Sequence, residues 1–515
     1  MRVRATLAAL SLVTTIPFAV GVPSASAAAD GCVSGVRSDF NGDGRSDAVV
    51  ADPNATVAGK LAAGRIVVLY GDADGRVGEG ARDVLAEGVG SVQGVPQAGD
   101  RFGFSVAAAD FDCDGYTDLA VGVPYQDWGA VVDAGTAHVI WGSAAGLGRG
   151  DTSTWALPGG FGQPARERDL FGYALDAVED VGQGGTPEPD AYVLAIGVPG
   201  AEVGGIDNAG ALAVRAPLDG GSVAHWITQE TAGVPGVAEA GDFFGWSVTC
   251  NYLVGGAEID CAVGAPGEDV GSATDAGTVA VIKDLYDTDD YTATTYDQNS
   301  PGVPGAAEKN DRYGASLDSV LVGSKSWLAV GAPGEAIGSA ARAGSVQLFN
   351  SNTVTLTAST GLSQNTSGVG GTAEAGDVFG QTLAFVAPGL GDAKTRLAVG
   401  APGENIAAGA DAGIVQVFPM GSLGSDLTWT QDSAGVPGVA AAGDAFGAAL
   451  ATVAGVSERV LLVGVPEDTA YTTGLVNVIP FSGAPRLWAP GLGGVAAAGA
   501  VRFGAAIAGV DGGAE

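Results

Sequence analysis

The chain has 515 residues, 86 of them glycine, and 58 Asp plus Glu against 23 Lys plus Arg give a formal charge of −35. No surplus of cations exists to displace counterions from phosphates, which excludes an electrostatic nucleic-acid binder, and 46% hydrophobic residues exclude a disordered acidic chain. Glycine at this level without a Gly-X-Y period signifies many turns between many short strands.

In chain order, Arg2 and Arg4 precede an apolar run from Ala5 to about Val22, and Ala25-Ser26-Ala27 supplies the small residues a signal peptidase accepts. Residues 1–27 therefore read as a signal peptide cleaved near Ala27, and residues 28–515 as one exported domain with no transmembrane segment. A membrane anchor is the competing reading, but Thr14, Thr15 and Pro17 interrupt the run. Four cysteines in an exported chain fit two disulfides. Cys250 and Cys261 end one strand and begin the next, which favours a local bridge and leaves Cys32 for Cys113.

Two nine-residue stretches share the pattern D-x-[DN]-x-D-G-x-x-D. They are Asp39-Phe40-Asn41-Gly42-Asp43-Gly44-Arg45-Ser46-Asp47 and Asp110-Phe111-Asp112-Cys113-Asp114-Gly115-Tyr116-Thr117-Asp118. Calcium takes six to eight oxygen ligands, and positions 1, 3 and 5 of a tight loop converge on one point. Asp39, Asn41 and Asp43, and likewise Asp110, Asp112 and Asp114, would supply side chains. Arg45 and Tyr116 would supply backbone carbonyls, and Asp47 and Asp118 the last carboxylates. An ordinary Asp/Gly hairpin is the bland alternative, but two matches at one phase of a repeat favour Ca2+.

That repeat organises the whole chain. An aromatic-glycine pair recurs at Phe102-Gly103, Phe171-Gly172, Phe244-Gly245, Tyr313-Gly314, Phe379-Gly380, Phe446-Gly447 and Phe503-Gly504. The first six are each followed by a strand ending in Gly-x-Pro, from Gly122-Val123-Pro124 to Gly464-Val465-Pro466; Ala51-Asp52-Pro53 is a degenerate seventh copy. A third strand starts with glycine and alternates with period two, as in Gly277-Thr278-Val279-Ala280-Val281. A fourth often carries a tryptophan, at Trp155, Trp226, Trp429 and Trp488. Four strands per unit is the blade of a β-propeller. The last first-strand stands near the C-terminus and the degenerate copy near the N-terminus, so the two ends complete one blade. The expected fold is all-β: seven four-stranded blades closed by pairing the terminal strands.

These residues resemble FG-GAP repeats, the units of the integrin alpha-chain N-terminal propeller and of the C-terminal propeller of glycosylphosphatidylinositol-specific phospholipase D. The resemblance places the calcium loops between the first and second strands of a blade. In integrins such loops occupy the later blades; here they occupy the first two, and Leu321, Ala387 and Ala454 stand at the first ligand position of later repeats.

A second recurring acid, in Asp-x-[Phe/Tyr]-Gly, falls at Asp100, Asp169, Asp242, Asp311, Asp377 and Asp444. Recurrence in six repeats argues for architecture, with the carboxylates accepting from backbone N–H groups. The only histidines, His138 and His225, read as tolerated polar positions, and no nucleophile elbow, zinc-protease motif or P-loop is present. Arg149-Gly150-Asp151 is a tripeptide that chance readily supplies, and no function is assigned to it. The sequence thus favours a secreted, monomeric, calcium-binding and non-enzymatic adhesion module. Its protein or glycan partner would meet the loop face opposite the calcium loops, where Glu239, Glu268, Asp269, Asp275 and Glu335 lie. The alternative is an extracellular hydrolase, phospholipase-related or a carboxylate-based glycosidase, or an accessory propeller of one.

Overall fold

The computed structural model describes residues 38–508, apart from 151, 156–159, 180–191, 219–220, 255–258, 284, 286–290, 352–354, 389–393 and 422–426. The signal-peptide reading, Cys32 and the segment after residue 508 lie outside the described residues.

The described residues form seven antiparallel four-stranded sheets. Blade 1 is assembled from both ends of the chain. Its innermost strand, β28 (Ala506–Ala508), pairs with β1 (Ala48–Asp52), which is followed outward by β2 (Arg65–Leu69) and β3 (Arg82–Leu85). Blades 2 to 7 each use four consecutive strands and begin at β4 (Ser105–Ala109), β8 (Ala174–Glu179), β12 (Ser247–Asn251), β16 (Ser316–Val322), β20 (Thr382–Val386) and β24 (Ala449–Ala454). Each innermost strand touches that of the next blade, and β24 and β4 both touch β28, so the ring is closed. The seven innermost strands surround an axial channel with a cavity of about 330 Å³.

The core lies between blades rather than within them. Seven apolar clusters fill the seven interfaces, and each contains one aromatic of an aromatic-glycine pair, at most 1% exposed. The glycines explain why the motif has two halves. The N–H of Gly245 donates to the Gly264 carbonyl within blade 4 (3.0 Å), while the Gly314 carbonyl of blade 5 faces the Gly264 Cα so closely that a Cβ there would lie 2.0 Å from its oxygen. The same contact recurs at Gly122, Gly197, Gly331, Gly400 and Gly464. Glycine is therefore demanded by the approach of the next blade.

The recurring aspartates behave as the sequence indicates. Asp100, Asp169, Asp242, Asp311, Asp377 and Asp444 each accept from the backbone N–H three residues earlier, at 2.5–2.8 Å. Blade 1 has Val501 at this position and compensates. Asp52, in the degenerate Ala51-Asp52-Pro53, accepts from the N–H groups of Val501 and Arg502 (2.8 and 2.9 Å), tying the two ends of the chain together. Arg486 and Trp488 reinforce the closure by binding Glu79 of blade 1, and Arg486 also pairs with Glu458. Cys250 and Cys261 form the expected disulfide between facing residues of neighbouring strands. Cys113 is disulfide-bonded as well.

Candidate metal site and the opposite face

The two Asp-rich loops sit at one end of the ring, each between the first and second strands of its blade. In the second loop Asp110 accepts from the N–H groups of Asp114 (3.2 Å) and Gly115 (2.9 Å), which curls the segment, while Gly115 takes the left-handed conformation this turn needs. Asp118 closes the loop, accepting from Phe111 N (2.8 Å) and from Gly142 N (2.7 Å) of the neighbouring hairpin. Among the described residues, Asp110, Asp112 and Asp118 form the one group of three acidic side chains with oxygens within 4.8 Å of one another.

Three carboxylates this close repel one another. Burial, followed by the neighbouring acids, pushes Asp118 up to about 9 and Asp110 up to about 6, against backbone N–H donors that act the other way; Asp112 is raised for the same reasons. A hard cation among these oxygens would remove that repulsion. Asp114, expected as a ligand, instead accepts from Tyr116 N (2.9 Å) and stands outside the group.

The first loop repeats the scaffold. Asp39 accepts from Asp43 and Gly44, and Asp47 from Phe40 and Gly71. Asn41 replaces Asp112, however, and Asp43 turns to Arg45 (2.8 Å), so its acids do not close into a comparable group. Burial still pushes Asp47 up to about 8. The loops are bonded to each other: Asp39 N donates to Thr117 Oγ1 (3.1 Å) and Thr117 N to the Asp39 carbonyl (3.0 Å).

The two histidines are more than tolerated. His138 is 1% exposed, with Nδ1 bonded to Thr154 (3.0 Å) and Nε2 at 3.3 Å from Glu87. His225 is buried against Tyr291, whose hydroxyl meets its Nδ1. Arg149 is engaged by Asp83 at 2.7 Å.

On the opposite face, the acids named from sequence divide into two sets. Glu268 and Glu335 turn inward to accept from Gln229 and Gln298 of the preceding blade, and Gln364–Glu404 and Gln431–Asp468 repeat this latch. Blades 1 and 2 reverse it, with Gln126 donating to Glu87 (2.7 Å). Glu239 and Asp269 remain exposed and Asp275 half-exposed. Sequence reading missed the latch, although glutamine and glutamate recur in phase.

It also missed an aromatic arc. The residue after each aromatic-glycine pair stands just before the innermost strand of its blade, and in blades 2 to 4 it is Phe104, Tyr173 and Trp246, against Ala315, Gln381, Ala448 and Ala505 elsewhere. Their rings stack in sequence, at 4.9 Å between Phe104 and Tyr173 and 4.7 Å between Tyr173 and Trp246, and all three are half-buried. Tyr125 and Phe243 extend the arc, and Arg101 lies 4.6 Å over the Tyr125 ring.

Comparison with known proteins agrees with this architecture. A family model described as FG-GAP repeat matches residues 102–140. Phosphatidylinositol-glycan-specific phospholipase D of Rattus norvegicus is 36% identical over 108 residues, 21% of this chain and 13% of the enzyme, and that of Homo sapiens is 34% identical over the same shares. Integrin alpha-PS5 of Drosophila melanogaster is 32% identical over 174 residues, 32% of this chain and 15% of the integrin. The chain thus matches only a minor part of each relative's length. Among solved structures, the GH93 alpha-L-arabinofuranosidase of Fusarium graminearum in complex with arabinobiose has a TM-score of 0.38 at 10% identity, covering 75% of this chain and 92% of that one, a likeness from which nothing is drawn. With the matched repeat at 102–140 and its two-part glycine signature rebuilt at successive blade interfaces, the chain is a seven-bladed β-propeller that contains an FG-GAP repeat and is similar to part of the integrin alpha chain.

Proposed function

We propose that this protein is an exported, calcium-stabilised propeller that binds a protein or glycan partner with the face opposite its carboxylate loops. The observation that carries the binding role is the aromatic arc. A ring held together by repeated interfaces has no architectural need for stacked, half-exposed rings in three blades only, and such rings mark interaction surfaces. The disulfide fits an oxidising compartment, and no helix among the described residues is long and apolar enough to cross a membrane.

Calcium has a structural part in this reading. Asp110, Asp112 and Asp118 would hold one ion together with the Tyr116 carbonyl, with Asp114 swinging in on binding. Asp39, Asn41, Asp43, Asp47 and the Arg45 carbonyl would hold a second ion if Asp43 leaves Arg45. Both loops flank the cut blade and its neighbour, so the ions would clamp the ring where it closes.

Two measurements test the reading. Calcium should raise the melting temperature over that in chelator, and Asp112→Ala and Asp118→Asn should each abolish part of that rise; equal melting in both conditions refutes the metal role. Pull-down from envelope and extracellular fractions should recover a partner that Trp246→Ala loses. Calcium-dependent turnover of phosphodiester or glycoside substrates, abolished by one Asp→Asn change outside the two loops, would establish a hydrolase instead.

A further inference from the structure

Blade 5 departs from its siblings in one respect that the repeat does not require. Three loop positions carry cations: Lys309, Arg312 and Arg342. The matching positions of blade 6 hold Ala375, Val378 and Asp411, and those of blade 4 hold Ala240, Phe243 and Asp275. The three cations line a single open cleft of about 440 Å³, on the face opposite the carboxylate loops, a size typical of small-ligand sites. Arg101 and Arg502 occupy the same repeat position as Arg312, but the first lies over Tyr125 and the second pairs with Glu467. Lys309, Arg312 and Arg342 are exposed and make no ion pair or side-chain hydrogen bond among the described residues. In a chain with 58 acids and 23 basic residues, a cleft lined by three unpaired cations against two acids, Glu308 and the buried Asp311, is locally the reverse of the overall charge balance.

We propose that this cleft binds the carboxylate-bearing sugars of an acidic glycan. The inference rests on the partner-binding reading of this face and names a ligand class for it. Two guanidinium groups and an ammonium match a carboxylate. Asn310, Gln381 and Glu308 also line the cleft, and amide and carboxylate groups of these types donate to and accept from hydroxyls. An acidic protein surface is disfavoured, because the exposed Glu308 and Glu374 and the overall charge repel any broad anionic patch. A sugar chain with isolated charges avoids that penalty.

The test uses the full mature chain and trigalacturonic acid as the probe, with its methyl ester and inorganic sulfate as comparisons, followed by titration calorimetry. Trigalacturonic acid should bind at least about tenfold more tightly than the ester, and more weakly as salt is raised. The triple variant Lys309→Ala, Arg312→Ala, Arg342→Asp adopts residues already used at these positions in sibling blades, so its melting temperature should stay near that of the wild type while binding falls at least about tenfold. Four results would each overturn the proposal: no binding of trigalacturonic acid at millimolar concentration, equal binding of the ester, equal binding of sulfate, or undiminished binding by the triple variant. A partner recovered by pull-down and retained by the triple variant would leave the propeller a binding module while removing the cleft from its ligand site.

Discussion

The repeated contact between the Gly-x-Pro glycine of one blade and the aromatic-glycine carbonyl of the next makes a quantitative prediction. In Gly264→Ala the new methyl would lie 2.0 Å from the Gly314 carbonyl oxygen and 2.5 Å from Ser247 Oγ, where ordinary contact begins at 3.4 Å. Gly264 does not have a left-handed backbone, so alanine carries no conformational penalty and the whole effect is steric. The blades must part by more than an ångström, and the Ser247 Oγ bond to the same carbonyl (2.6 Å) is lost. Overpacking plus the broken bond amounts to roughly 2–4 kcal/mol. With about 2.1 cal/mol/K of unfolding entropy per residue, this lowers the melting temperature by roughly 2–4 °C. Scanning calorimetry is the assay, and Gly150→Ala, which meets no atom within 4 Å and has no left-handed backbone, is the control. Gly264→Ala melting with the wild type, or Gly150→Ala falling as far, would refute the steric account.

Other predictions follow from single contacts. Tyr313 is the one tyrosine among six phenylalanines at its position, and its fully buried hydroxyl has no hydrogen-bond partner among the described residues, so Tyr313→Phe should stabilise by about 1 kcal/mol in denaturant titration. Arg486→Ala should cost about 2 kcal/mol, because it strips Glu79 and the nearly buried Glu458 of their cation at the ring closure; unchanged denaturation would show that the strand pairing alone holds the ends. Burial, helped by neighbouring acids, pushes Asp242, Glu335 and Glu404 up to about 7 and Asp311 and Asp377 up to about 6. Raised acids bind protons more tightly in the folded state, so their stabilisation is full below about pH 4 and is lost as pH rises through 6 to 7. Metal-free protein should therefore melt higher at about pH 5 than at about pH 8, and the reverse order would contradict these placements.

Much of this was legible in the sequence because a propeller repeats its constraints. Phe-Gly and Gly-x-Pro mark two sides of one contact, and seven phased copies expose it without any knowledge of neighbours in space. The Asp-x-Phe aspartates were legible for the same reason, as was the bridge between Cys250 and Cys261 on adjoining strands. What escaped was everything that breaks the repeat. Asp52 looks like a degenerate residue until Val501, more than four hundred residues away, is seen to lack the acid it replaces. Asp43 and Asp114 share one pattern and each accepts from the backbone N–H two residues on, but Asp43 is also paired with the Arg45 side chain, a charge that Tyr116 does not carry. The Gln–Glu latch spans two blades, so its partners sit about forty residues apart in different segments of the repeat. The aromatic arc arises from positions that no single blade marks as special.

The split blade also fixes how the propeller is presented. β1 leaves directly from the first carboxylate loop, and Ala508 at the end of β28 stands opposite Val49 near its start. The described residues therefore begin and end on the carboxylate-loop side of the ring. Any tether, fusion or surface attached there would hold the metal loops inward and turn the aromatic arc and the cationic cleft outward. The geometry of ring closure thus sets which face an attachment at those ends would leave free, as well as sealing the ring.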